Sequence, residues 1–303
     1  MLSTNMGAAK LLIGVVVGLI LLKLTVGWLT GSISIFAQAA DSLLDLFAGI
    51  ITFSAIRIAA KPADEEHPYG HGKVEDIAGV MQGLLIGVVG MLIIYSSTRR
   101  MIEGTRLIEL AEAGIGVMLV SMVVSIFLSR HLLKVSRSTG SVALEANAHN
   151  IAADVYSALA VLVGLVIVRL TGLGIIDSVI AIGVAVYILK IAYDTTRKPL
   201  SGLLDTKLAS SQEAAIKACL MEYSQQVVGF HALRTRRAGS QCYIDLHLVM
   251  AKDTALLQAH EICNQIETEI QARIPESSVT IHAEPCNDEC WQCFVVCSKC
   301  QTK

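Results

Sequence analysis

Six apolar runs, each long enough to cross a lipid bilayer as a helix, constrain this 303-residue chain more than any other feature. About twenty apolar residues span the hydrocarbon core. The runs fall at about 8–29, 33–60, 75–97, 112–133, 142–170 and 173–195. Composition agrees: 53% of residues are apolar, 17% are charged, and the mean hydropathy is +0.60, a membrane value. The first run is interrupted by Lys23, lacks a basic leader and a small-residue cleavage site, and is followed by further spans. It therefore reads as a retained helix rather than a secretory signal. Glu112 stands at the start of the fourth run, and the polar stretch Glu145 to Asn150 leads into the fifth.

Loop charges orient the spans. Lys10, Arg57, Lys61, Lys73, Arg130, Lys134, Arg137, Arg197 and Lys198 fall on one side, against Arg99, Arg100, Arg106 and Arg169 on the other. An excess of Lys and Arg marks the cytoplasmic side, so both termini are expected there. The net charge of -2 and the lack of a basic block give no sign of a nucleic-acid partner.

After Leu200 the composition changes. Residues 207–223 read as an amphipathic helix with Ala215, Ile216, Cys219 and Leu220 on one stripe. Strands are expected over 232–237, 241–250 and 278–282, with a longer helix over 256–274 between the last two. That αββαβ order suits a small α+β, ferredoxin-like cytoplasmic module. The expected division is a six-helix transmembrane domain at 1–204, this module at 205–285, and a cysteine-rich tail at 286–303.

Four constellations carry chemistry. Asp41 and Asp45 lie inside the second span, four residues apart and so on one helix face. Charges at membrane depth are costly, and paired carboxylates there point to a cation or a water-filled path. The fifth span supplies Asn150 and Asp154 at the same spacing, completing an oxygen-only cage for a divalent cation. His149 is about 140° round the helix from Asp154 and points elsewhere unless the helix bulges, in which case it is the alternative fourth ligand. The loop after the second span holds Asp64, His67 and His71, which have ligand chemistry and spacing for Zn²⁺, or else shape a polar Pro/Gly turn. In the soluble module His231, His247, His260, His282 and Glu284 are many for its length and favour metal. The tail holds Cys290-x2-Cys293-x3-Cys297-x2-Cys300 with Cys286 ahead of it, a thiolate pattern for Zn²⁺, Cu(I) or an Fe–S cluster.

The runs Gly31 to Asp45, Pro62 to Lys73, Glu145 to Asp154, His231 to Arg237 and Leu246 to Met250 together resemble the cation diffusion facilitator family of divalent-metal/proton antiporters. The resemblance covers roughly residues 8–285. It implies a homodimer of six-helix protomers, each with a cytoplasmic metal-binding αββαβ domain. It further implies that Asp41, Asp45 and Asp154 bind the transported ion, that Asp64, His67 and His71 form a loop site, and that the soluble histidines with Glu284 form a binuclear site. Lys73 and Asp205 match a charge pair that interlocks protomers. Two departures stand out: zinc-transporting members usually carry His where this chain has Asn150, and the tail lies outside the family pattern.

The expected function is proton-coupled efflux of Zn²⁺, Mn²⁺ or Fe²⁺ across the membrane. Crowded carboxylates cannot all stay ionised without a cation, so metal and protons compete for them. No bond is made or broken, so neither an enzyme nor a catalytic cofactor is expected. A membrane-anchored metal sensor that binds without transporting is the alternative. An intramembrane aspartyl protease is the enzyme rival, but it would place its two Asp on separate helices with a Gly-x-Gly-Asp sequence, which is absent here.

Overall fold

The structure, a computed structural model, describes residues 4–31, 33–103, 112–171 and 175–286. Arg106 and the tail residues Cys290, Cys293, Cys297 and Cys300 lie outside them. The chain divides into two units, Met1–Ser201 and Gly202–Lys303.

The first unit is helical: α1 (Asn5–Thr30), α2 (Ile33–Ala59), α3 (Lys73–Glu103), α4 (Glu112–Thr139), α5 (Val142–Thr171) and α6 (Ile175–Leu203). Among the described residues five of these helices are long and apolar enough to cross a membrane. α5 is as long but carries Glu145, Asn147, His149, Asn150 and Asp154 in its first half. Thr4 caps α1, its Oγ1 accepting from the Gly7 N–H at 3.1 Å, and Gly31 ends it with a left-handed φ of 65°. Several helices outrun the apolar windows: α3 continues past residue 97, α4 past 133 and α6 past 195. Hydropathy marks the thickness of the hydrocarbon, whereas Lys, Arg and Glu extend a helix readily into water.

Small residues let α3 and α6 approach. Gly79, Gly83, Gly87 and Gly90 recur at one-turn spacing on α3, facing Pro199, Thr196, Ala192 and Leu189 of α6. At the loop-side ends, buried Glu75 of α3 accepts a 2.6 Å hydrogen bond from Ser141 Oγ at the start of α5. It also meets the first backbone N–H groups of α5, at Val142 and Ala143. A carboxylate is well placed at a helix N-terminus, where N–H groups lack intrahelical partners.

Three helices are also joined by buried neutral polar side chains. Gln82 Nε2 of α3 donates to Ala48 O at 2.9 Å and to Thr52 Oγ1 at 3.4 Å, both on α2. Asn147 Nδ2 of α5 donates to the same hydroxyl at 3.2 Å. Gln82 Oε1 and Asn147 Oδ1 accept nothing among the described residues.

The second unit contains α7 (Ser210–Glu222), β1 (Gly229–Ala238), β2 (Gln241–Met250), α8 (Leu256–Arg273) and β3 (Ser277–Pro285). The sheet order is β1-β2-β3, with β1 and β2 an antiparallel hairpin turning at Gly239 (φ 60°) and β2 and β3 parallel across α8. Ile216 and Leu220 of α7, Ile244 and Leu246 of β2, and Ile266 and Ile270 of α8 form its core. Cys219, Cys242 and Cys263 are buried as free thiols in this layer, and burial pushes the Cys219 and Cys263 thiols up, away from the thiolate that metal would need. β1 and β3 are longer than the periodicity predicts. Gly229, Ala283, Glu284 and Pro285 are poor strand formers, and pairing with β2 overrides that weak preference.

Candidate metal-transport site

α2 presents Asp41 and Asp45 one turn apart, and α5 presents Asn150 and Asp154 one turn apart. The two pairs meet. The Asp45 side chain lies within hydrogen-bonding reach of both Asp154 and Asn150, and Asp41 is near enough to interact with Asp45 and Asp154 through its charge. Asp41 and Asp154 are exposed in the protomer, and Asp45 and Asn150 are half-buried, so the oxygens are accessible. Carboxylate and amide oxygens offered by two facing helices are the donor type that a hard or borderline divalent cation takes. His149 does not join them: its Nδ1 lies 2.9 Å from Thr195 Oγ1, on the side of α5 that faces α6.

One neighbour of this cage is absent from the motifs. Lys23 of α1 is buried, and its Nζ donates to Ser42 Oγ at 2.7 Å and to Gln38 O at 3.3 Å on α2. It interacts electrostatically with Asp45, then Asp41, then Asp154. A sequence signal for it exists, since an ionisable residue inside an apolar span is functional by default. Thr52 has one too, lying seven residues, two turns, after Asp45 on the same face.

The loop after α2 draws Asp64, His67 and His71 together, their ligand atoms within 4.8 Å of one another. His67 Nδ1 is 3.2 Å from Asp64 Oδ1, and His71 Nε2 is 3.4 Å from Asp64 Oδ2. The His67 backbone N–H, donating to Asp64 at 2.7 Å, holds that carboxyl below the usual range. Left-handed Gly70 (φ 76°) turns the chain so that its N–H reaches His67 O at 2.8 Å. Two imidazoles and a carboxylate are a zinc-type donor set.

In the soluble unit the sheet register forms the site. His231, His247 and His282 are direct cross-strand neighbours on β1, β2 and β3. Such partners stand side by side on one sheet face. Glu284, two residues beyond His282, returns to that face. His231 Nε2 and His247 Nδ1 both contact the Glu284 carboxylate, the latter at 3.3 Å. The hydrogen bond from His231 is the main cause holding the Glu284 carboxyl below the usual range. His231, His247 and Glu284 bring their ligand atoms within 4.8 Å of one another, and the His282 ring stacks edgewise on His247 at 4.9 Å. A register shift between His231 and Arg234, with Ala232 at φ 52°, puts His231 opposite His247. In the protomer His260 lies exposed on α8, 3.2 Å from Asn264, apart from this row. A helix position does not follow strand register. Lys73 opens α3 in the first unit, and Asp205 in the second pairs with Arg236 at 3.4 Å. Cys286 is half-buried, its N–H donating to Met250 O at 2.8 Å.

Comparison with known proteins decides the family. Residues 9–204 match the cation efflux transmembrane domain, and residues 208–286 match the cation efflux protein cytoplasmic domain. The chain belongs to the cation diffusion facilitator family. It is 33% identical over 269 residues to the cation-efflux pump FieF of Salmonella paratyphi A, covering 89% of each chain. It is 33% identical over 285 residues to the uncharacterized transporter sll1263 of Synechocystis sp., covering 94% of this chain and 92% of that one. Among solved structures it is similar to the metal-bound C-terminal domain of the CzcD transporter from Thermotoga maritima, at 29% identity, covering 25% of this chain and 87% of that one, with a TM-score of 0.24. This facilitator is thus a multi-pass membrane protein of a cation-efflux family, a family of transporters rather than enzymes, with divalent metals as substrates.

Proposed function

We propose that this facilitator exports Zn²⁺, Mn²⁺ or Fe²⁺ from the cytoplasm in exchange for protons, as a homodimer with both termini cytoplasmic. The observation that carries this is the meeting of Asp45 with Asp154 and Asn150 between α2 and α5. Facing the cytoplasm the carboxylates bind the metal. Facing the more acidic side they take protons, which compete for the same oxygens, and the metal leaves. Tilting of the helices around this fixed site supplies alternating access. His231, His247, His282 and Glu284 would hold metal in the soluble unit, and Asp64, His67 and His71 in the loop. Their donor chemistry fits, and their role there is to sense or stabilise rather than to carry the cargo. The deciding experiment is metal uptake into sealed proteoliposomes with and without a pH gradient, for wild type and Asp45→Ala. Gradient-stimulated uptake lost in the variant supports the reading. Uptake indifferent to the gradient rejects proton coupling, and wild-type flux in the variant rejects the site.

A further inference from the structure

Lys23 lies in the C-terminal half of α1, about two turns before its end at Thr30, and is only 9% exposed. An ammonium at membrane depth is expensive, and long side chains near helix ends escape by reaching the interface. Lys23 instead turns inward to α2, where neutral groups hold it: Ser42 Oγ at 2.7 Å and Gln38 O at 3.3 Å. Gln38, Ser42 and Asp45 recur at four and three residues, so they form one stripe along α2. The ammonium is therefore fastened to the face that carries Asp45. No carboxylate oxygen among the described residues lies within ion-pair distance of Nζ, yet Asp45, Asp41 and Asp154 all feel its charge. A salt bridge would commit that charge to one carboxylate, whereas this placement spreads it over all three.

The charges then sum simply. Three ionised carboxylates and one ammonium leave two negative charges, the complement of one divalent cation. Residual charge in a medium of low effective dielectric is costly, so a site that is neutral when loaded is favoured. We propose that Lys23 is a built-in counter-charge that trims the transport site to the charge of one divalent ion, letting the ion bind and still leave. Without it the loaded site keeps a negative charge, holds the ion more tightly and releases it more slowly. This inference rests on the reading of Asp41, Asp45 and Asp154 as the transport site.

The test is Zn²⁺ flux in proteoliposomes for Lys23→Met, which keeps length and removes charge, and Lys23→Arg, which keeps charge. Lys23→Met should lower KM on the order of tenfold or more and lower the maximal rate with it. Lys23→Arg should restore both towards wild type. An unchanged or raised KM in Lys23→Met, or an Arg variant that behaves like the Met variant, overturns the proposal and leaves Lys23 a helix-packing residue. Should Lys23→Met carry too little flux to fit, equilibrium Zn²⁺ binding to the purified full chain reads the same affinity, with Asp45→Ala defining the contribution of the other sites. Tighter binding then supports the proposal, and equal or weaker binding overturns it. Asp45→Ala also separates the two readings. Lost flux there with an unaltered KM in Lys23→Met rejects the counter-charge alone, whereas retained flux there rejects the transport site and the counter-charge together.

Discussion

Asp45 touches both partners on α5, so its loss should remove the site rather than weaken it. Asp45→Ala is expected to abolish proton-driven metal uptake while the purified protein keeps its melting temperature, because no core contact is lost. On the proposed site, Asn150 is the ligand that tunes which metal is preferred. A cage of carboxylate and amide oxygens suits Mn²⁺ or Fe²⁺ better than an imidazole-containing one does, although the intrinsic order of affinities still favours Zn²⁺ over both. Competition flux should therefore show Mn²⁺ or Fe²⁺ carried alongside Zn²⁺, and Asn150→His should shift the preference towards Zn²⁺. Identical behaviour of wild type and variant would remove residue 150 from the ligand set. Glu284 adds a pH dependence to the soluble unit. Its folded carboxyl is held below the unfolded value of about 4.3, so its contribution is complete above that pH and is lost as pH falls through the folded value. In chelator, Glu284→Gln should flatten the fall of the soluble unit's melting temperature below about pH 4.3, a change that a thermal scan against pH would detect.

At the scale of elements, the glycines of α3 make a contrast. A Cβ on Gly83 would lie 2.1 Å from Thr196 Oγ1 and 3.0 Å from the Thr196 backbone N. The hydroxyl could move, although it donates to Ala192 O, but the backbone could not. A Cβ on Gly87 would meet only Ala192 Cβ, at 3.7 Å. Gly83→Ala should therefore cost about 1–3 kcal/mol through overpacking, and Gly87→Ala should be close to neutral. Unfolding of the two detergent-solubilised variants compares them directly. The helices themselves are legible from hydropathy, because the bilayer demands long apolar runs, and the one-face pairing of Asp41 with Asp45 and of Asn150 with Asp154 is legible from the helical period. Strand register is not. Nothing local says that His231, His247 and His282 stand in a row, since that depends on the bulge at Ala232 and on the parallel pairing across α8. Lys23 looks like a mere interruption of an apolar run until the packing of α1 on α2 gives it neighbours.

At the scale of the whole molecule, ligand binding to the folded soluble unit should register as stability. Zn²⁺ is expected to raise the melting temperature of the full chain with the tail cysteines replaced by Ser, since anything that binds only the native state stabilises it. His247→Ala combined with His282→Ala should remove most of that gain, and an undiminished gain would exclude the histidine row. The membrane unit carries a further consequence in Thr52, Gln82 and Asn147. These residues lie between the carboxylates and the ends of α2 and α5 that meet the 60–72 loop and the turn before residue 142. Three neutral hydrogen bonds join the three helices there. Each such bond contributes about 0.5–1.5 kcal/mol net, so together they fasten the three helices only modestly. The unused carbonyl oxygens of Gln82 and Asn147 add two buried acceptors to this joint, the kind of group that a water entering between the helices would satisfy.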